Sequence, residues 1–460
     1  MQSNTSYHFE ISERKILLRL IDVLVACIAI YTASEFGENN YFKNTENYVQ
    51  WFLIIGFYFL LFGTIFEMYD LQKAESRYKI FKSITLTVSL SVVCFLMTPF
   101  YTPPLPENRL QIFYFFGILL LTITIWRFAY VGLIAAPRFY KRVIIVGETF
   151  DVNSIIDELQ KKDPNYEIVG YLDTDVNNTY VSNCLRIELD NFQDALAELK
   201  ISEIVVTNSL QGVGSELYQK LIPVLKKGYP IKAYTSVYED ITGKIPVENV
   251  RNDFYCYFPF SRSNQNKLYL SFTRLMDIFI SLIGLSFLLL ITPLILIFNL
   301  LGNRGPLLYR QERVGRNGKC FKIVKLRSMV KDAETKGAQW AIKDDVRITK
   351  FGKILRKSRL DEIPQFINVL KGDMSFIGPR PERPFFVEEL NRKIPFYEIR
   401  HVVKPGLTGW AQVNARYAST EEDSLEKLQY DLYYIKRRNV FLDLRIFLKT
   451  MSTVIFFRGQ

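Results

Sequence analysis

Two adjacent carboxylates, Asp361-Glu362, stand among cations: Arg356, Lys357 and Arg359 precede them, and Arg380 follows between Pro379 and Pro381. An isolated Asp-Glu pair is ordinarily a solvated helix face. Here the neighbouring positive charges and rigid prolines point to a site for an anionic, phosphorylated ligand. Adjacent acids on a helix project about 100° apart, so the two cannot grip one ligand equally. One is expected to meet the substrate while the other orients a metal, a water or an arginine. Arg380 is the better candidate for bidentate phosphate recognition because its flanking prolines stiffen it, with Arg356 beside it. Lys325 and Arg327 are further substrate candidates, for which a lipid-headgroup role is equally open.

These residues belong to a strongly basic C-terminal part, from Arg310 through Arg359, in a 460-residue chain of net charge +11. Basic residues interleaved with Phe321, Ile323, Val324 and Leu326 suit an anionic membrane surface or phosphorylated ligands. They adjoin a long apolar segment, so nucleic acid is not expected as a partner. Gly315-Arg-Asn-Gly318-Lys319 is not a P-loop, because its glycines are three apart. Five scattered cysteines without a CxxC, and only two histidines, argue against a disulfide framework or a zinc site. His401, without a visible partner, reads as structural.

Hydrophobic residues make up 49% and charged residues 23%, too polar for a wholly embedded chain and too apolar for disorder. The apolar runs concentrate in the first third. Four of them can cross a hydrocarbon core, from Leu17 to Ser34, Val49 to Met68, Phe81 to Phe100 and Gln111 to Ile134. Arg14, Lys15 and Arg19, then Lys73, Arg77, Lys79 and Lys82, then Arg138, Lys141 and Arg142 place both ends of this bundle in the cytoplasm. A fifth apolar segment, Leu275 to Leu301, has arginines on both flanks and Thr292-Pro293 near its middle. It reads as a re-entrant helix-break-helix, with a fifth true span as the alternative. Arg19-Leu-Ile-Asp22 and Arg274-Leu-Met-Asp277 can each pair across one helix turn, which any helix entry at a membrane surface favours. Arg127, late in the fourth span, is expected to snorkel.

From Arg142 short apolar strands alternate with helices, as in a parallel doubly wound sheet resembling the Rossmann type. Glu148 follows Gly147, so no G-x-G-x-x-G exists and dinucleotide binding is disfavoured. Asp173-Thr-Asp175 spells the D-x-D of metal-dependent glycosyltransferases, though a solvated loop is the simpler reading. The helix Ser424 to Arg438 carries Leu425, Leu428, Leu432 and Ile435 on one stripe, for packing or for lipid.

The stretch from Arg274 onward resembles the bacterial polyprenyl-phosphate sugar phosphotransferases, the monotopic phosphoglycosyl transferases. The resemblance rests on Gly305-Pro306-Leu-Leu-Tyr-Arg-Gln311-Glu-Arg313-Val-Gly315, Phe321-Lys-Ile-Val-Lys325-Leu-Arg327-Ser-Met329, Leu360-Asp361-Glu362-Ile-Pro364-Gln365, Gly378-Pro-Arg-Pro381 and Lys404-Pro-Gly-Leu-Thr-Gly-Trp410. The family's Ser-Pro helix break stands here as Thr292-Pro293. With four spans and a Rossmann-like domain ahead, the chain resembles the large subclass. Three domains are expected: a transmembrane bundle at 1–137, an α/β domain at 138–262 and a mainly α catalytic domain at 263–460, with its re-entrant helix at 275–301.

The resemblance implies transfer of a sugar 1-phosphate from a UDP-sugar to undecaprenyl phosphate with release of UMP, the first membrane step of exopolysaccharide, capsule or O-antigen synthesis. It implies Asp361 as nucleophile, an aspartyl-phosphosugar intermediate, and a bacterial inner-membrane enzyme facing the cytoplasm. Attack of a carboxylate on a phosphate brings like charges together, so neutralisation by arginines and by Mg²⁺ held at Asp361 and Glu362 is expected. Gly409-Trp410-Ala-Gln-Val-Asn414 resembles members using UDP-glucose or UDP-galactose. A homodimer is a further expectation. A membrane-anchored scaffold whose α/β domain senses a ligand is the competing reading.

Overall fold

The computed structural model describes residues 11–35, 48–69, 77–98, 100–106, 108–134, 141–146, 266–303, 305–330, 333, 345–415 and 420–455. Between 156 and 247 it describes 156, 158–160, 163, 166–172, 184–187, 192–199, 201–206, 215–226 and 228–247. Gly147, Glu148 and the Asp173 to Asp175 stretch lie outside the described residues. The chain forms two compact units, 1–242 and 243–460.

The first unit opens with four helices, α1 (Ile11–Glu35), α2 (Tyr48–Ile65), α3 (Arg77–Leu96) and α4 (Leu110–Ile134). Each packs on two neighbours, α1 on α2 and α4, α3 on α2 and α4, which closes a four-helix ring. Ile30, Ile55, Phe59, Ile84, Val88, Phe115 and Leu119 fill its centre. Leu20, Leu24, Leu53, Phe57, Phe113 and Leu121 face outward. Apolar side chains both inside and outside mark a bundle solvated by lipid. α1, α2 and α4 each contain a stretch long and apolar enough to span. The third expected span is shorter than the sequence indicated. Its apolar part runs only from Ile80 to Leu96, because the helix ends ahead of Thr98-Pro99, where a proline restricts the residue before it.

Two expectations about charge fail in this bundle. Arg127 does not snorkel: it is wholly buried and ion-paired with equally buried Asp22. Asp22 therefore pairs across helices, not with Arg19 one turn earlier.

A five-stranded sheet follows, built from β1 (Lys141–Val146), β2 (Tyr166–Leu172), β3 (Leu185–Arg186), β4 (Glu203–Val206) and β5 (Ile231–Ala233). The order is β3-β2-β1-β4-β5 and every pairing is parallel. Val143, Ile144, Ile145 and Val146 of central β1 are all buried, feeding one apolar cluster on each face. A strand buried on both faces must read as a continuous apolar run, and it does. α5 (Phe192–Glu198), α6 (Ser215–Lys226) and α7 (Tyr234–Thr242) complete this part.

The second unit is organised along one helix, α8 (Lys267–Gly302), 36 residues without interruption. The expected break at Thr292-Pro293 is absent. Proline removes one backbone donor, and the Thr292 hydroxyl donates to the Leu288 carbonyl at 2.6 Å within the same turn. One face of α8 touches the rest of the unit along its whole length. Tyr269 donates to Asp443 at 2.6 Å. Arg274 donates to the Val369 and Leu370 carbonyls at 2.6 and 2.7 Å. Asp277 accepts from the Phe376 amide at 2.7 Å and the Ser375 hydroxyl at 3.0 Å, so Arg274 and Asp277 are also not each other's hydrogen-bond partners. At Gly284 a Cβ would come within 2.3 Å of the Phe366 ring. Ile295 is buried with Leu326 and Leu355, and Asn303 donates to the Arg327 carbonyl at 2.6 Å. The opposite face exposes Phe279, Leu282, Ile283, Phe287, Leu290, Leu294, Ile297 and Leu301.

Beyond α8 come an antiparallel hairpin, β6 (Leu308–Val314) and β7 (Cys320–Leu326), then α9 (Lys350–Ser358) and a 3₁₀ turn, Leu360–Gln365. Gly315 to Lys319 is the hairpin turn, with left-handed φ at Asn317 (55°) and Gly318 (75°). α10 (Phe366–Lys371), β8 (Ser375–Ile377), α11 (Pro384–Lys393), β9 (Gly406–Thr408), α12 (Trp410–Asn414), α13 (Glu421–Arg437) and α14 (Val440–Ile455) follow. Leu428, Leu432 and Ile435 of α13 are buried against Ile245, Val387, Leu390 and Tyr397, so that stripe packs on protein. Gly243 accepts from the Trp410 indole at 2.9 Å, which ties the start of the unit to its core.

Candidate active site

The local sequence sets the Asp-Glu pair by ending one helix and starting a tighter one. Thr349 caps α9 by accepting from the Gly352 amide at 2.9 Å. Arg359 ends it in a left-handed conformation, φ 56°, which reverses the chain. Leu360–Gln365 then winds as 3₁₀, where successive side chains diverge by about 120°. Asp361 and Glu362 thus point apart, as adjacent acids on any helix must.

Their environments differ accordingly. Glu362 accepts from Arg380 at 2.5 Å and faces Lys325 at 3.4 Å and Arg359 at 3.5 Å. Arg380 and Lys325, the dominant charges, hold its carboxyl far below the usual carboxylate range against the cost of burial. The Asp361 carboxylate makes no hydrogen bond or ion pair among the described residues. Burial first, then the adjacent Glu362 charge, pushes its pKa up to about 6, while Lys325, Arg356 and Arg380 pull it down. Burial lowers the Lys325 ammonium, opposed chiefly by Glu362. One acid is locked by cations; the other lies beside them, buried and uncommitted.

Arg380 owes its position to close backbone approach. A Cβ at Gly378 would lie 2.4 Å from the Lys404 carbonyl oxygen, and one at Gly406 would lie 2.1 Å from the Gly378 nitrogen. Only glycine lets the Gly378 to Pro381 turn lie flat on Lys404 to Thr408, where β8 and β9 pair in parallel. Two further arginines grip the turn by its carbonyls: Arg400 donates to Arg380 O at 3.0 Å and Arg313 to Pro381 O at 3.1 Å. Arg400 is itself buried and ion-paired with buried Asp431 at 2.8 Å.

Five of the nominated residues therefore gather: Asp361, Glu362, Arg380, Lys325 and Arg356, the last held by Ser328 at 3.0 Å. Arg327 does not join them. It is buried, with its guanidinium on the Asn303 carbonyl at the end of α8, and serves the helix terminus. Thr292 and Pro293 lie within α8. Arg359, Arg400, Arg313 and Asp431 were not nominated. Arg359 adjoins the pair in sequence, but only its left-handed backbone turns it back on Glu362. His401 packs edge-on to Tyr397, and burial with nearby Arg400 lowers its pKa to about 4.

Among the described residues no three His, Cys, Asp or Glu side chains group as a metal site. Asp361 offers a free carboxylate, whereas both Glu362 oxygens already face cations. This donor set fits Mg²⁺ shared between Asp361 and substrate phosphate oxygens, the usual way this ion is held. It does not fit an ion bridged by both acids.

A buried acid without a partner among the described residues, beside several cations and on a unit built along a 36-residue apolar helix, fits a membrane-associated group transferase. The sequence profile of the bacterial sugar transferases matches residues 268–457. A galactosyl transferase of Streptococcus agalactiae is 32% identical over 318 residues, 65% of this chain and 68% of its own length. The chain belongs to the bacterial sugar transferase family. A UDP-N-acetylgalactosamine-undecaprenyl-phosphate N-acetylgalactosaminephosphotransferase of Aeromonas hydrophila is 40% identical over 230 residues, 49% of this chain and 52% of its own. A UDP-glucose:undecaprenyl-phosphate glucose-1-phosphate transferase of Klebsiella pneumoniae is 42% identical over 201 residues, 42% of each chain. The matches thus span about half or less of these last two relatives.

Proposed function

We propose that this protein transfers a sugar 1-phosphate from a UDP-sugar to undecaprenyl phosphate, opening synthesis of a surface polysaccharide at the bacterial inner membrane. The observation that carries the reading is the asymmetry of the acid pair, with Glu362 saturated by cations and Asp361 free and buried beside them.

In this mechanism an Asp361 carboxylate oxygen attacks the sugar-bearing phosphorus of the donor. The bond from that phosphorus to the bridging oxygen breaks, and UMP leaves with the oxygen. An oxygen of the lipid phosphate then attacks the same phosphorus and breaks the aspartyl ester. This restores Asp361 and leaves a lipid diphosphate-linked sugar. Arg380, Arg356 and Lys325 neutralise charge gathering on the phosphoryl oxygens, and Glu362 holds Arg380 and Lys325 in place. Asp361 would hold Mg²⁺, which would supply further charge neutralisation.

The reading needs the site at headgroup depth, and α8 supports that. Crossing a hydrocarbon core takes about 20 helical residues clear of polar protein. From Tyr269 to Asn303 no such interval is free of contact with the catalytic unit. A helix that dips into one leaflet with its apolar face in lipid satisfies both faces, and the unit then stays on one side, the cytoplasmic one by loop charge. The parallel order β3-β2-β1-β4-β5 supports the Rossmann-like reading of the sheet.

The test is UMP release from a panel of UDP-hexoses and UDP-N-acetylhexosamines with undecaprenyl phosphate and Mg²⁺. Wild type is expected to release UMP dependent on lipid, and Asp361→Asn to lose at least about 10³-fold. A fully active mutant sinks the nucleophile assignment. A folded wild type inert toward every donor sinks the reaction. The relatives' names divide among N-acetylgalactosamine, glucose and galactose, so the panel decides the sugar.

A further inference from the structure

The four-helix bundle buries charges that the reaction above does not use. Asp22 and Arg127 are both wholly buried and ion-paired, and the Trp126 indole donates to the other Asp22 oxygen at 2.9 Å. The Arg19 and Arg127 guanidinium carbons lie 5.1 and 5.3 Å from the centre of one ring, Tyr69. Asp22, Arg127 and Arg19 all act electrostatically on the Tyr69 hydroxyl. These residues lie toward one end of the bundle: Arg19 and Asp22 in the first half of α1, Tyr69 just after α2, and Trp126 and Arg127 in the second half of α4. Arg77, Lys79 and Lys82 open α3 at this same end.

This cluster does not balance. Among the described residues two guanidiniums face one carboxylate, and both oxygens of that carboxylate are already engaged. Arg127 Nε and Nη1, Arg19 Nε and the Tyr69 hydroxyl are buried with no hydrogen-bond partner among the described residues. Orphan donors and an excess positive charge in a low-dielectric bundle are strongly unfavourable unless an anion completes them. A partner that satisfies all these donors at once is acceptor-only, negatively charged and multidentate. A phosphoryl group matches the fixed fork of guanidinium donors, and the basic end of the bundle is where anionic headgroups collect.

We propose that Arg19, Arg127 and Tyr69 form a phosphoryl-binding site at the basic end of the bundle, separate from Asp361, with Asp22 and Trp126 fixing Arg127. The phosphoryl group comes from a lipid headgroup or from free phosphate.

Full-length protein labelled with 5-fluorotryptophan, in phosphatidylcholine nanodiscs, reports the site through Trp126, assigned with Trp126→Phe. Titration with short-chain phosphatidic acid is expected to move that fluorine resonance saturably, and short-chain phosphatidylcholine to leave it unmoved. Inorganic phosphate producing the same shift without lipid would make free phosphate the source. Arg19→Gln, which keeps the Asp22–Arg127 pair, should weaken binding about tenfold, as loss of a charge-assisted contact does, and Asp361→Asn should change nothing. The proposal is overturned if neither titrant moves Trp126. It is equally overturned if Arg19→Gln and Tyr69→Phe, folded by their other tryptophan resonances, titrate as wild type does.

Discussion

At Asp361 and Glu362, one peptide bond separates a carboxylate held ionised by cations from one that burial and its neighbour push up to about 6. A proposed nucleophile must be ionised to act, so kcat/KM is expected to fall as pH drops through about 6 and to be level above it. Lys325 lowers the Asp361 value. Lys325→Met should therefore move the acid limb to higher pH, and a pH–rate profile reads this separately from any loss in rate. Arg380→Ala should cost about 10²–10³ in kcat, the range for loss of one preorganised donor. The acids, Arg380 and Lys325 were legible because carboxylates crowded by cations and stiffened by prolines are rare on a plain solvated face. Arg359 was not, since its place depends on a left-handed φ that no side-chain pattern announces. Arg400 and Asp431 lie 31 residues apart, and only the tertiary fold joins them. Arg127 was misjudged for the same reason: its partner, Asp22, lies 105 residues away.

Elements position these residues through contacts that tolerate little change. Arg400 grips the Arg380 carbonyl and depends on Asp431. Asp431→Asn leaves a buried cation unpaired, at a cost of about 3–5 kcal/mol. Its signature as a positioning change is a fall in kcat with little change in the pH of the acid limb, measured in protein that remains folded. Gly284 gives a second check. The Phe366 ring stands 2.3 Å from where a Cβ at this position would sit. Gly284→Val should therefore push α8 off α10 and lower the melting temperature, and Phe366→Ala should relieve part of that loss. Period and run length made the helices and the buried strand readable. Their ends were less so: α3 stops short of the expected span, and α8 runs unbroken through Pro293.

Across the whole molecule, the chain divides at Gly243, and the second unit carries every residue of the proposed site. Residues 243–460 expressed in membranes are expected to keep lipid-dependent UMP release. A chain starting at 263 should be less stable, because Ile245 and Val247 belong to the core around Tyr397 and Leu432. The polarity split of the sequence announced membrane and soluble parts, but Gly243 to Val247 join the second unit through tertiary contacts such as the Trp410 to Gly243 bond and the packing of Ile245 and Val247, which no composition shift marks.

Because Ile295 shares a cluster with Leu326 and Leu355 while Phe287, Leu290 and Leu294 on the same helix face outward, the anchor cannot be removed without dismantling the enzyme's interior. On the proposed function the catalyst is confined to a plane. Its acceptor is then counted as a mole fraction within that plane, not as a molarity in solution. Adding inert phospholipid at constant total acceptor should slow turnover by surface dilution, whereas diluting whole vesicles with buffer should leave the rate per enzyme nearly constant at saturating donor.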